Sequence, residues 1–320
     1  MILLQANNVM RRFGADVLFH DINLQIQEHG RTALVGRNGA GKTTLLKMIA
    51  GITSPDEGTI SKSKDLTIGY LAQDQGLDSQ NSIWAELDLV FAPLHKMEKQ
   101  IHQLENQLAS LDPATKEFQL TTEKYSQLQS AFKKQGGFEY ESRMRGILKG
   151  FGFEEADYQT AINSLSGGQK TKLALAKILL QSPDLLILDE PTNHLDMNVL
   201  AWLEDYLKSY QGALLVVSHD RYFLDRVVSD IYDLDNHTLR HYTGNYTQFM
   251  QHKQEWLTAE WKHYEQQQKK IAKLEDFVNR NIVRASTTKR AQARRKQLEK
   301  MDRMDRPETD DRSIHFHFHS

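Results

Sequence analysis

Nine residues, Gly36-Arg37-Asn38-Gly39-Ala40-Gly41-Lys42-Thr43-Thr44, have the types and spacing for phosphate chemistry. Glycines at 36, 39 and 41 let backbone N–H groups close around phosphate oxygens. Lys42 can reach β- and γ-phosphates, and the Thr43 hydroxyl can take a place on Mg²⁺. The apolar run Thr32-Ala33-Leu34-Val35 precedes the loop, and the helical run Leu45-Leu46-Lys47-Met48-Ile49-Ala50 follows it. A loop so placed lies at the positive end of a helix dipole, the context that turns G-x-x-x-x-G-K-[ST] from a pattern into a prediction. The expectation is a nucleoside triphosphate site.

Three further stretches carry groups for the same chemistry. Ser164-Leu165-Ser166-Gly167-Gly168-Gln169 leads into a helix expected over Lys172–Gln181, and a serine with two glycines at a helix start forms a second anion site. The buried strand Leu185-Leu186-Ile187-Leu188 ends in Asp189-Glu190. A carboxylate there can hold Mg²⁺ directly or through water, and Glu190 is placed to polarise an attacking water. Pro191-Thr192-Asn193-His194-Leu195-Asp196 reads as a tight turn, and the strand Leu214–Val217 ends in Ser218-His219-Asp220. Gln73 follows a short strand, Thr67–Leu71, and means nothing alone. Phe13 either offers an aromatic face to a base or belongs to the core.

The elements that position these groups follow from periodicity. Residues 1–35 read as strands, with Ile22, Leu24 and Ile26 alternating as on a half-buried strand. Ser54-Pro55-Asp56-Glu57-Gly58 has turn chemistry. Leu94, Met97, Ile101, Leu104, Leu108 and Leu111 form a narrow seam; Asp112-Pro113 breaks it; Phe118, Thr121, Tyr125, Leu128 and Phe132 run back. An antiparallel helical hairpin over about 94–135 results, and eighteen helical residues reach roughly 27 Å, long enough for an arm. Two helices lying flat on the domain would call for a broader apolar stripe.

From Met250 a helical seam runs through Leu257, Tyr264, Ile271 and Val278 and loosens around Asn279–Thr288, where Ser286-Thr287-Thr288 can cap the next helix. That second hairpin, 251–306, carries Lys289, Arg290, Arg294, Arg295 and Lys296. Between Arg280 and Arg306 ten Lys/Arg meet three Asp/Glu, so the stretch carries +7 of a chain whose net charge is −2. A solvated face is the ordinary explanation of a charge run, but an imbalance without compensating acids points to a polyanion. Ser313-Ile314-His315-Phe316-His317-Phe318-His319-Ser320 alternates like a first strand.

Composition narrows the classes. With 320 residues and 26% charged residues, the chain has room for one large domain plus appendages. No apolar run approaches the roughly eighteen residues that cross a bilayer, and Met1-Ile2-Leu3-Leu4-Gln5 does not read as a signal peptide. The absence of cysteine excludes thiolate catalysis and zinc–thiolate sites, and fits a reducing cytoplasm.

In order, the phosphate loop at Gly36–Thr44, Gln73, Leu165-Ser166-Gly167-Gly168-Gln169, Asp189-Glu190 and His219 resemble the nucleotide-binding domain of the ATP-binding cassette superfamily. Leu188-Asp189-Glu190-Pro191-Thr192-Asn193-His194-Leu195-Asp196 resembles its ABC-F group, which lacks membrane domains and many of whose members act on the ribosome. The resemblance implies an α/β P-loop cassette over 1–250, with an antiparallel β subdomain and the hairpin as an inserted arm. It also implies an α-helical linker hairpin that approaches the P-site tRNA, and the start of a second cassette at 307–320. By the same resemblance Phe13 stacks on adenine, the loop and Lys42 hold the phosphates of ATP, and Thr43, Gln73 and Asp189 serve Mg²⁺. Glu190 activates water, His219 contacts the γ-phosphate, and Ser166-Gly167-Gly168, with Gln169, closes on ATP held by an opposite cassette. The implied protein is a cytoplasmic ATPase of translation whose partners are rRNA, tRNA and a second cassette, in the same chain or as a homodimer. A transporter's ATPase subunit, or a DNA-binding repair ATPase gripping duplex with the same basic linker, are the competing classes.

Overall fold

Alternation along the second strand places Ile22, Leu24 and Ile26 on a buried face, with Asn23, Gln25 and Gln27 exposed between them. The computed structural model describes residues 1–73, 76–281, 288–304 and 306, except the side chains of 281–291. Its strands are β1 (Ile2–Phe13), β2 (Asp16–Gln27), β3 (Arg31–Gly36), β4 (Glu57–Lys62), β5 (Ile68–Leu71), β6 (Leu185–Asp189), β7 (Ala213–Val217), β8 (Asp230–Asp235) and β9 (Thr238–Thr243). Helices α1 (Lys42–Ala50), α2 (Ile83–Asp88), α3 (Ala92–Ser110), α4 (Lys116–Lys134) and α5 (Tyr140–Gly150) precede α6 (Gly167–Gln181). They are followed by α7 (Met197–Ser209), α8 (Arg221–Val227), α9 (Tyr246–Asn281) and α10 (Thr288–Glu299).

Two sheets share one core. A three-stranded antiparallel sheet has the order β2-β1-β4, and a six-stranded sheet the order β5-β6-β7-β3-β8-β9, parallel except for β9. Every residue of β6 and β7 is buried, as their near-continuous apolar runs require in a sheet covered on both faces. Leu45, Leu46 and Ile49 of α1 join Leu24, Ile26, Leu34, Ile187 and Leu215 in that core, so α1 is fixed between the sheets. The turn expected through Gly58 is corrected, because Gly58 lies inside β4 at φ 83. It sits where the β1–β4 register slips between Asn7 and Met10, and a Cβ there would lie 2.6 Å from the Asn7 carbonyl oxygen. Glycine is needed for close strand approach rather than for a turn.

The arm is rooted twice on one helix. α3 and α4, 19 residues each, run antiparallel and bury Leu94, Ile101 and Phe132 between charged outer faces. Thr115 caps α4 by accepting from the Phe118 N–H at 3.2 Å, and the Tyr125 hydroxyl donates across the hairpin to Glu105 at 3.1 Å. On the entry side, Glu86 of α2 is 6% exposed and accepts from Lys177 of α6 at 2.5 Å, and from Ser79 and Asn81 at 2.8 Å each. On the exit side, Arg143 of α5 donates to the carbonyls of Leu180 (3.0 Å) and Leu179 (3.4 Å) at the end of α6. The same α6 begins at Gly167, five residues before the expected Lys172, because Ser166 caps it.

The chain divides into two compact units, Met1–Tyr246 and Thr247–Ser320. In the second unit α9 runs unbroken for 36 residues, starting ahead of the expected Met250. Gln267 donates to the Asp302 carbonyl and accepts from the Met304 N–H, both at 2.9 Å, so the segment after α10 returns along α9. The expected cap residues Ser286 and Thr287, and the strand-like stretch 307–320, lie outside the described residues.

Candidate active site

The carboxyl ends of β3, β6 and β7 open onto one cleft of about 620 Å³. The loop leaving β3 passes through Gly39 at φ 83 and Gly41 at φ 100, and Gly41 is the N-cap of α1. A Cβ on Gly41 would lie 2.8 Å from Leu18 Cδ2 and 2.9 Å from Phe19 Cδ1, so both backbone and space demand glycine there. No side chain caps α1; its first N–H groups remain for an anion. Lys42 Nζ is held over the loop, donating to the carbonyls of Gly36 at 2.9 Å and Arg37 at 3.1 Å. Burial lowers its pKa, and the charges of Glu190 and Asp189 pull it part of the way back.

Strand β6 delivers the two carboxyls. Asp189 is 2% exposed, and its Oδ2 accepts from the Thr43 hydroxyl at 2.7 Å. Burial raises its pKa against the opposing effects of that hydrogen bond and of Lys42 and Lys47. Glu190 sits at φ 53, a left-handed conformation that costs a non-glycine residue about 1–2 kcal/mol; its N–H donates to the Val217 carbonyl at 2.8 Å. Its Oε2 accepts from the His219 N–H at 3.1 Å, and Oε1 lies 3.3 Å from His219 Nε2. That Oε1 is buried and makes no hydrogen bond of good geometry. Burial pushes the Glu190 carboxyl upward; His219 opposes this and Asp189 adds to it.

These residues fit a triphosphate with a divalent cation. Two buried carboxyls held above their ordinary pKa, one with an unsatisfied oxygen, are the arrangement a bound cation and an ordered water would relieve. No group of three or more His, Cys, Asp or Glu among the described residues could cage a metal alone. A magnesium site sharing its ligands with phosphate oxygens needs only one or two protein carboxylates.

The cleft gathers Phe13, Asn38, Gly39, Gly41, Lys42, Thr43, Thr44, Gln73, Asp189, Glu190 and His219, with Gly36 at the strand end below them. Phe13 is 57% exposed, with the Arg11 guanidinium 5.3 Å from its ring centre; of its two sequence readings, the core position is not where it lies. An adjoining cleft of about 290 Å³ shares Phe13, Leu18, Asn38 and Gly39 and adds Asp16, Arg37 and Asp235. Ser166, Gly167, Gly168 and Gln169 do not line either cleft. Ser166 Oγ accepts from the Gln169 N–H at 3.3 Å and Gln169 Oε1 from the Ser166 N–H at 3.0 Å, a reciprocal cap at the start of α6.

Reading by motif missed Leu18, Asn193 and Val217, which also line the cleft. Leu18 and Val217 are apolar and carry no chemical signal; Asn193, three residues past Glu190, could have been found from the turn. On α10, Arg294, Arg295 and Lys296 are exposed, and the side chains of Lys289 and Arg290 lie outside the description. Some of the linker cations have acidic partners, while the excess of ten Lys/Arg over three Asp/Glu between Arg280 and Arg306 stands. Arg295 pairs with Glu299 at 3.2 Å, Arg280 with Asp276 at 2.8 Å, and Arg303 approaches Glu275 at 3.9 Å.

Residues 19–193, more than half of the chain, match the family described as ABC transporter, and residues 232–316 match a second family with the same description. The chain belongs to the ATP-binding cassette family. Among relatives of this ATP-binding cassette, the ATP-binding protein YdiF of Bacillus subtilis (strain 168) is 52% identical, over 99% of this chain and 49% of that protein. ABC transporter F family member 5 of Arabidopsis thaliana is 31% identical, over 92% of this chain and 42% of that protein. The ABC-F resemblance is met by such relatives, and the chain spans about half the length of those it matches. A dimeric ATP-binding cassette in a post-hydrolysis state, bound to ADP and Pi, superposes with a TM-score of 0.52 at 22% identity. That match covers 75% of this chain and 98% of the other, and it shows the ATPase cassette fold.

Proposed function

We propose that this cassette binds and hydrolyses ATP, and that it belongs to a cytoplasmic ATPase that acts on the ribosome through its arm and basic linker. The observation carrying the hydrolytic part is the buried, unsatisfied Oε1 of Glu190, in one cleft with Lys42, Thr43 and Asp189. In this proposal Phe13 stacks on the base, while the Gly36–Thr44 loop and Lys42 hold the phosphates. Thr43, Gln73 and Asp189 are the Mg²⁺ residues; the cation would neutralise charge developing on the β- and γ-phosphates. Glu190 accepts a proton from the attacking water through Oε1, and His219 orients that carboxylate through its N–H and contacts the γ-phosphate. Ser166, Gly167 and Gly168, capped through Gln169, serve the nucleotide of a second cassette, which suits their place outside this cleft.

Closure of two cassettes on ATP would move α6, and α6 holds both roots of the arm through Lys177 and the carbonyls bound by Arg143. The linker's exposed Arg294, Arg295 and Lys296, with Lys289 and Arg290, suit rRNA and tRNA phosphates. No helix among the described residues is long and apolar enough to cross a membrane. Sedimentation with ribosomes tests the proposal. Glu190→Gln protein with ATP should pellet with ribosomes and be released with ADP; equal recovery in the supernatant under both conditions would sink the ribosomal part.

A further inference from the structure

The register of β1 against β2 slips between Arg11 and Arg12, the kind of irregularity that re-aims a side chain. There the Arg11 guanidinium lies over the Phe13 ring, 5.3 Å from its centre. Hydrogen bonds tie this end of β1 to the loop that follows α1. Asp56 Oδ1 accepts from Arg11 Nη1 at 3.1 Å, and Asp56 Oδ2 from the Arg12 N–H at 2.8 Å. The Asp56 N–H in turn donates to the Met10 carbonyl at 3.0 Å. Arg11 Nη1 also donates to the Ser54 carbonyl at 3.3 Å. Phe13 lines both the phosphate cleft and the adjoining one, whereas Arg11 lines neither. The ring therefore stands between the guanidinium and the clefts. A ring 57% exposed has little packing to fix its angle, so its orientation depends on what lies behind it.

We propose that Arg11 is a positioning residue for the nucleotide base. Anchored by Asp56 and the Ser54 carbonyl, it holds the Phe13 ring at one angle, so that a base stacks on the ring's cleft side. A cation on one face also draws π density toward itself, which lessens repulsion between the other face and a stacked purine. Ser54 and Asp56 follow α1, whose other end carries the phosphate loop, so the base and phosphate sites share one support. The inference rests on the reading that Phe13 stacks on the base, and it adds the residue that sets the ring.

The test is isothermal titration calorimetry of the full chain with ADP and with inorganic pyrophosphate, which has the phosphates without the adenosine. Arg11→Gln should weaken ADP binding about two- to ten-fold, the range for one cation–aromatic contact, and leave pyrophosphate binding unchanged. Arg11→Lys, which keeps a cation beside Asp56, should recover most of that loss. In a Phe13→Ala background, Arg11→Gln should have no further effect on ADP. Asp56→Asn loosens the anchor and keeps the cation; it should weaken ADP in the same selective way, and it reads the same link if Arg11→Gln does not fold. Equal losses for ADP and pyrophosphate, or wild-type ADP affinity in Arg11→Gln, overturn the inference. Wild-type ADP affinity in Phe13→Ala is the separate result that removes the base-stacking reading beneath it.

Discussion

His219 holds Glu190 through one oxygen: its backbone N–H donates to Oε2 at 3.1 Å, while its Nε2 lies 3.3 Å from Oε1 without forming a hydrogen bond of good geometry. The carboxylate is therefore oriented from one side only, with Oε1 left for a further partner. Burial raises the pKa of Glu190 and of neighbouring Asp189. The folded state then binds protons more readily than the unfolded chain, so in the nucleotide-free protein stability falls as pH rises from the ordinary carboxylate range through the raised folded values. Asp189→Asn should remove part of that slope and raise the melting temperature at pH 7, at about 2–4 °C per kcal/mol for a domain this size. Differential scanning fluorimetry across pH reads this directly; a variant with an unchanged profile and a lower melting temperature would refute it.

Glu86 shows the opposite sign. Burial alone would raise its pKa, but hydrogen bonds from Lys177, Asn81 and Ser79 outweigh burial and hold it below the ordinary value. A depressed carboxyl contributes stability above its unfolded pKa and loses it as pH falls through the folded one. Lys177→Met should cost about 1–3 kcal/mol, because Glu86 keeps two of its donors, and should flatten the acid limb of the stability curve. Urea unfolding at neutral and acidic pH gives both numbers. A loss that stays equal at the two pH values would mean the pair contributes packing and no charge stabilisation.

Ser166, Gly167 and Gly168 lie outside the cleft that holds Lys42. The chain alone should bind ATP yet hydrolyse it slowly, and specific activity should climb with protein concentration if two copies pair. Brisk turnover that is independent of concentration would show that one cassette completes its own site.

Much of this cleft was legible in the sequence, because phosphate chemistry needs particular residues at fixed spacing. Gly41 is dictated by its left-handed backbone and its approach to Leu18, and Asp189 by the end of a fully apolar strand. What escaped notice was set by tertiary contact. Gly58 has turn chemistry locally, but serves the Asn7–Met10 bulge of a strand far away in sequence. Val217 lines the cleft only because its register opposite Asp189 brings it there. Glu86 and Arg143 look like surface charges until α6 is placed between them.

Changing Lys289, Arg290, Arg294, Arg295 and Lys296 together to Gln keeps helix propensity high, so the fold should survive. Ribosome binding should weaken and its salt dependence flatten, while ATP binding at Lys42 stays intact. Wild-type affinity and salt slope in the five-fold variant would mean that the linker is a solvated spacer.

The proposed hydrolysis depends on Glu190 acting on water in the cleft assigned to ATP. The direct measurement is ATP affinity and turnover of Glu190→Gln beside the wild type, in protein freed of contaminating ATPase. Affinity should be unchanged and turnover lower by roughly 10²–10⁴, the range for losing general-base assistance. Wild-type turnover in this variant would contradict the assignment.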